Sequence, residues 1–493
     1  MNMIHLQPQI VWQYFDRLCA IPHPSGHLDA VREYICSVAK EAGHEVKVDE
    51  VGNLLVNIPA TPGCDTAEVL VLQAHMDMVP QADSCVEHDF LVDPIRPSVV
   101  SDSRVMADRT TLGADNGIGV ASMLAVMTDA TLQHGPLQCL FTVDEETGMT
   151  GARTLSPDWL QGNFMINTDT EEEGVIMTGC AGAVNMTATF NYRMDTHIPD
   201  GDVAVALHLS GLEGGHSGMD IHLGRANACK LLFRFLKHAV VNFEARLAEV
   251  KAGGLRNAIP REAHAVITIP GELLADMKEE VAAYEEMYRE LYGTQDPNIT
   301  FTAAEVAVPK SLLPEEIQDD VINCIEACHD GVWRMLPHHQ NIVETSSNLA
   351  SVETDNEETR VVLLIRSMDE EMKRALASQL ESTFILAGAR VDFDSAYPGW
   401  QMEQNAPLLR LASETYKETF GHAPELSEVH CGLECGIIAD RYPKMQIISI
   451  GPDIVSPHSP TESVGIVSVQ KYWRFLCALI QNIATCKQPF SEI

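Results

Sequence analysis

Positive charge is scarce in this 493-residue chain: 33 lysines and arginines stand against 70 aspartates and glutamates, a formal net charge of −37. So acidic a surface repels phosphate backbones and anionic headgroups over most of its area, which sets nucleic acid aside as a partner. Nowhere do about 18 uncharged apolar residues run together, the length a spanning helix needs, so no membrane involvement is expected. The opening MNMIHLQPQIVWQYFDRL mixes polar and acidic residues into its apolar stretch and lacks the basic start of a secretory signal. Thirteen cysteines are present, but the number is odd, they are scattered, and no paired CxxC arrangement occurs. That excludes a disulfide framework and points to reduced thiols in a cytoplasm. Cys324 with Cys328, and Cys431 with Cys435, have helical spacing and read as packing residues. What remains is an ordinary globular composition, 45% hydrophobic and 21% charged, long enough for roughly two to four domains.

The hydropathy pattern divides the chain. Apolar residues recur at helical spacing over 8–43, broken by a Pro/Gly/Ser turn at 21–26, and 53–58 reads as a short strand. Apolar runs at 69–72, 140–143 and 164–166 suit buried strands, and 118–127 suits a helix started by Asp115 and Asn116. Strands alternating with helices imply an α/β sheet. From about 191 the pattern changes: strands at 203–209, 262–269 and 360–365 accompany helices at 226–241, 270–293 and 370–388. After Tyr397-Pro398-Gly399-Trp400 the first pattern resumes, with a strand at 445–450 and a closing helix at 468–483. No internal repeat is visible. The expectation is an α/β domain of residues 1–186 and 395–493 into which an α+β domain, 187–394, is inserted.

Polar residues at the carboxyl ends of the apolar strands carry the chemistry, because open α/β sheets place their sites there. The first strand runs into His75-Met76-Asp77, where the i, i+2 spacing lets Asp77 lie beside the His75 ring and hold its tautomer. The next ends in Asp144-Glu145-Glu146, the third in Asn167-Thr168-Asp169 followed by three glutamates, and the last leads to Ser456-Pro457-His458-Ser459-Pro460. Each has an ordinary explanation alone: His75 a core histidine, Asp115 a helix cap, Glu145 and Glu146 a solvated strand end, Asp169 a turn acid, His458 a loop residue. Together they place a histidine or carboxylate after nearly every strand of one sheet. Such a set would suit zinc, manganese or cobalt in a two-metal site, with a further carboxylate left to move a proton.

The segments HMD, GADN, DEETG, NTD and PHSP, in that order along the chain, resemble the dizinc metallopeptidase family that includes carboxypeptidase G, aminoacylase, tripeptidase and carnosinase. VLQAHMDMVPQ, TTLGADNGIG, NTDTEEEG, GGHSG, RNAIPREA, AYPGWQ and HCGLECG are similar to its cytosolic aminoacyl-histidine dipeptidase branch. The resemblance implies two zinc ions, with cobalt or manganese as substitutes: His75 and Asp169 on one, Glu146 and His458 on the other, Asp115 bridging. It implies Asp77 behind His75, and Glu145 as general base toward a metal-bridging hydroxide that attacks an unblocked dipeptide. The inserted domain becomes a lid that also forms a homodimer. There His216 would assist the oxyanion, and Asn257 and Arg366 would contact the substrate carboxylate. Glu434, in the loop where many relatives carry Gly-Gly-Thr or Gly-Gly-Ser, could pair with a free substrate amine. Ala107-Asp108-Arg109-Thr110 departs from the Gly-Arg-Gly of many relatives. Within the same family an N-acyl amino acid amidohydrolase remains open, and outside it a non-catalytic metal-binding protein or an acidic scaffold.

Overall fold

The computed structural model describes residues 3–101, 103–337 and 341–486. The strands Leu70–His75, Leu137–Thr142 and Phe164–Asn167 are buried at every position, which is why their sequences show apolar runs rather than alternation. They pair in parallel, Leu70–His75 in the middle, and Gln446–Ser449 continues the parallel set on Phe164–Asn167. The sheet extends through Leu54–Ile58 and Glu45–Val48 on one side and Val175–Cys180 and Trp400–Gln401 on the other. A separate four-stranded sheet pairs Pro97–Ser101 and Arg104–Ala107 with Ser463–Gly465 and Ile454–Val455. The helix Gln9–Cys19 buries Val11, Trp12, Phe15, Leu18 and Cys19, one stripe at helical spacing. Phe15 meets the helix Ala114–Thr128 at Gly117, where a Cβ would fall 2.9 Å from its ring. Burying side chains of this size contributes ~2 kcal/mol each.

Contacts divide the chain into two units. The first comprises Met1–Gly179, Trp400–Glu428 and Leu433–Ile493; the second, inserted in it, comprises Cys180–Gly399 and Val429–Gly432. The cuts fall at 179/180 and 399/400, where the sequence pattern suggests 186/187 and 394/395, and the short segment Val429–Gly432 also belongs to the second unit. Among the described residues no helix is long and apolar enough to cross a membrane, and all 13 cysteines are free thiols. Cys431 corrects one expectation: it precedes the helix Glu434–Arg441 rather than sharing it with Cys435.

The second unit is built on an antiparallel sheet in the order Thr300–Val306, Asp202–Ser210, Ala263–Pro270, Arg246–Gly253, Val343–Thr354, Glu358–Ser367, Gly182–Asn191, Arg390–Tyr397. Its core combines alternate strand residues, such as Val205, Leu207 and Leu209, with the apolar faces of the helices Ala228–Phe243, Leu274–Tyr292, Glu315–Ala327 and Glu370–Leu386. Val343–Thr354 is largely polar yet buried. It is tolerated because its side chains are bonded: Thr345 to Ser367, Ser346 to His430, Ser347 to His329, and Asn348 to the carbonyls of Arg256 and Ala258.

One polar joint secures the start of the helix Ala228–Phe243. Asn227 caps it by accepting from the amides of Cys229 and Lys230, and donates to Asp330. Asp330 also accepts the Leu349 amide, while Lys230 Nζ donates to the carbonyls of Ile325, Glu326 and Cys328. Burial pushes the Asp330 carboxyl up to about 6 from its ordinary 3.8, against the pull of these donors. A carboxyl raised in the folded state contributes stability below its unfolded pKa that is lost as pH rises through the folded value. Asp330→Asn keeps the accepted bonds but cannot ionise. The variant is therefore expected to gain on the wild type between pH 4 and 7, by ~3 kcal/mol at most, read as diverging denaturant midpoints. Parallel pH profiles would contradict this.

Candidate metal centre

The first unit gathers the polar residues at the carboxyl ends of its parallel strands. His75 is the last residue of Leu70–His75, Glu145 and Glu146 lie in the turn after Leu137–Thr142, and Asp169 is two residues beyond Phe164–Asn167. His458 comes from the turn between Ile454–Val455 and Ser463–Gly465, beyond Gln446–Ser449, and Asp115 from the irregular first turn of Ala114–Thr128. Asp144 and His458 have φ of 53° and 58°, left-handed conformations that Asp and His adopt more readily than most other non-glycine residues. Ligand-type atoms fall into three groups, each within 4.8 Å: His75 with Asp115 and Asp169, Asp115 with Glu146 and His458, and His75 with Glu145 and Glu146.

Asp115 is common to the first two groups, and its two oxygens face different imidazoles. Oδ1 lies 3.1 Å from His75 Nε2 and Oδ2 lies 3.1 Å from His458 Nε2. A second carboxylate approaches each ring nitrogen: Asp169 Oδ1 at 3.3 Å from His75 and Glu146 Oε1 at 3.0 Å from His458. One N–H cannot serve two oxygens, and Glu146 Oε1 is left buried without an aligned hydrogen bond. Among the described residues no lysine or arginine pairs with these carboxylates; their ion pairs are to the two histidines. Cations in place of the two ring protons would take both oxygens and the nitrogen as ligands at once, so the donor set fits divalent metal.

The electrostatics agree. Burial opposes protonation of His75, but Asp169, Asp115 and Asp77 overcome it and hold the ring well above the ordinary imidazole range. Against the same cost, Asp115 and Glu146 lift His458 to about 11. Burial raises the carboxyls of Glu145, Glu146 and Asp169, and crowding by neighbouring carboxylates adds to it against the pull of the imidazoles. Asp115 is held low: against its burial, the hydrogen bonds from His458 and His75 prevail.

A surrounding shell fixes these groups. His75 Nδ1 lies 2.9 Å from the Asp77 carbonyl and 3.4 Å from its carboxylate, so the main chain makes the shorter contact and Nε2 is left for a ligand role. The Asp77 carboxylate accepts from Ser25 Oγ and the amides of Glu145 and Glu146, tying two strand ends together. Asn116 Nδ2 donates to Asp169; a Cβ at Gly119 would fall 1.9 Å from Asn116 Oδ1, so glycine leaves that side chain its place. Sequence reasoning missed Glu462, which accepts from the amides of Leu112, Gly113, Ala114 and Asp115 and holds the loop carrying Asp115. It also missed Gln73 and Thr142, both 2.6 Å from Oε2 of the buried Glu434. Glu434 Oε1 has no partner, and burial lifts its carboxyl to about 7.

His216, Asn257 and Arg366 belong to the second unit. The pair Gly215–His216 is bonded to Ala258–Ile259, and the Asn257 carbonyl accepts from Ser217. His216 Nδ1 accepts from the amides of Gly218 and Met219 and lies 3.5 Å from Cys431 Sγ, which leaves Nε2 to carry the ring proton. Asn257 is exposed. Arg366 is buried, bonded to the Tyr397 hydroxyl at 3.1 Å, and its Nε has no partner. Burial, then the charge of Arg366, push the neighbouring His430 down to about 3.

Residues 71–482 match the profile of Peptidase family M20/M25/M40, and the chain belongs to that family. It is 43% identical over 482 residues to the cytosol non-specific dipeptidase of Escherichia coli, covering 98% of this chain and 99% of that one. The crystal structure of aminoacylhistidine dipeptidase from Vibrio alginolyticus superposes with a TM-score of 0.85 at 41% identity, covering 98% of each chain. Human carnosine dipeptidase 1, at 12% identity, shares the fold with a TM-score of 0.51 over 97% of this chain and 96% of that one.

The shell has a measurable consequence. Asp77→Asn removes the charge behind His75 while leaving every residue of the three groups in place. Its metal affinity, measured by competition with a chelator, is expected to fall about 10- to 100-fold. Unchanged affinity would detach Asp77 from the centre.

Proposed function

We propose that the chain is a metal-dependent dipeptidase that hydrolyses unblocked dipeptides, aminoacyl-histidine substrates among them. The observation that carries this is Asp115, one oxygen toward each of two imidazoles, with Glu145 beside the same cluster. That its E. coli and V. alginolyticus relatives are dipeptidases supports it. His75 and Asp169 would hold one cation and Glu146 and His458 the other, with Asp115 shared. Two zinc ions bound there, or cobalt or manganese in their place, would acidify a water and polarise the scissile carbonyl.

The chain's own residues do the rest. Glu145, its carboxyl raised by burial, takes the proton of the attacking water and passes it to the departing amine nitrogen. His216, with Nδ1 occupied as an acceptor, presents Nε2–H to the oxyanion that develops at the carbonyl. Arg366, buried with an unpartnered Nε, and Asn257 would bind the substrate carboxylate. The free Oε1 of Glu434 would accept the substrate ammonium, so a blocked amine would forfeit that bond. The reading places the first unit as the catalytic domain and the second as a lid through which two copies associate, in the cytoplasm.

Two measurements test the proposal. Zinc-restored enzyme should cleave Ala-His and leave N-acetyl-Ala-His intact; preference for the blocked compound would indicate a deacylase, and inactivity on both with metal bound a non-catalytic binder. Glu145→Gln should retain its metal and lose about 10²- to 10⁴-fold in kcat. A kcat within a fewfold of wild type would remove Glu145 from the proton path.

A further inference from the structure

We propose that the second unit carries a metal site of its own, in which His208, His264 and Glu262 bind a borderline divalent ion such as Zn²⁺ or Cu²⁺. None of the three belongs to the centre in the first unit.

The site follows from strand register. His208 on Asp202–Ser210 stands directly opposite His264 on Ala263–Pro270 in an antiparallel ladder, so both rings leave the same face of the sheet. Their centroids are 4.0 Å apart and their planes differ by 14°. Glu262 precedes His264 by two residues, the spacing that returns an extended chain to the same face. Its own carbonyl accepts the Gly253 amide, which anchors it to the next strand. One ligand atom from each of the three residues lies within 4.8 Å of the others. Ligands on a tetrahedral ion stand about 3.3 Å apart, a contraction that small side-chain rotations supply.

Two further observations point to a ligand. His208 Nε2 is shielded from water yet has no hydrogen-bond partner, a cost that a metal bond would remove. Burial, then the neighbouring His264, lower the His208 pKa against a smaller opposing pull from Glu262, which favours the neutral form that binds metal. Two imidazoles and a carboxylate suit zinc or copper rather than calcium or magnesium. His264 and Glu262 are exposed, so an ion can enter without disturbing the core and keep water in its remaining positions. The other cross-strand neighbours are Thr302, opposite His208, and Lys251, opposite His264. Lys251 in turn faces Glu353, which offsets its charge. A bound ion would staple two interior strands whose backbones are already fixed by the ladder.

The test uses the full chain. Equilibrium dialysis against buffered Zn²⁺ with elemental analysis should find one more zinc per chain in the wild type than in His264→Ala. Glu262→Gln should need at least 10-fold more free zinc to reach the same count. Both positions are solvent-exposed, and Ala-His hydrolysis should be unchanged in both variants. Cu²⁺ added to zinc-loaded wild type should give an electron paramagnetic resonance signal with two imidazole nitrogens that His264→Ala loses. Equal zinc counts in wild type and both variants, or a copper signal indifferent to the substitutions, would overturn the proposal.

Discussion

Everything in the first unit turns on the crowding of carboxylates around Asp115. Four acidic side chains and two imidazoles converge where each ring nitrogen meets two oxygens and a proton can satisfy only one. Burial, with neighbouring carboxylates adding to it, raises three of these carboxyls, Glu145, Glu146 and Asp169. A divalent cation would relieve the mismatch, since its charge and coordination number match several oxygens together. Such crowding would couple metal binding at this site to folding and to loss of ligand protons.

The rest of the unit serves that convergence. A parallel sheet supplies strand ends in a fixed row, and its buried apolar interior makes the row rigid. Asp77 ties two of the ends together through main-chain amides, Glu462 clamps the loop before Asp115, and Asn116 steadies Asp169. The second unit uses the opposite economy. Its antiparallel sheet keeps one face for helices and leaves polar side chains on the other, where His208 and His264 meet.

Much of this was legible in the sequence, for identifiable reasons. Strands buried on both faces advertise themselves as apolar runs, and the α/β class with an insertion follows from their alternation with helices. The runs understate the strands: 69–72 reads as a strand, but the ladder continues to His75 because Gln73 is buried and bonded to Thr142 and Glu434. The metal-type residues stood out because they followed strands, and the ordered motifs identified the family. Val343–Thr354 was not legible, since a strand of Ser, Thr, Asn and Glu looks like a loop until its side-chain partners are known. Glu462 was hidden for a similar reason: its role lies in four amides some 350 residues away, and no local pattern encodes that. Cross-strand pairs such as His208 and His264 share this limit, because register is set by the whole sheet.

The most direct test of the shared-carboxylate account is the metal content of Asp115→Asn alongside the wild type across a range of free zinc. On the proposal that one carboxylate serves both positions, both occupancies should fall together, with no intermediate plateau at which a single ion is held at wild-type affinity. A variant that keeps one ion at undiminished affinity while losing the other would contradict the account.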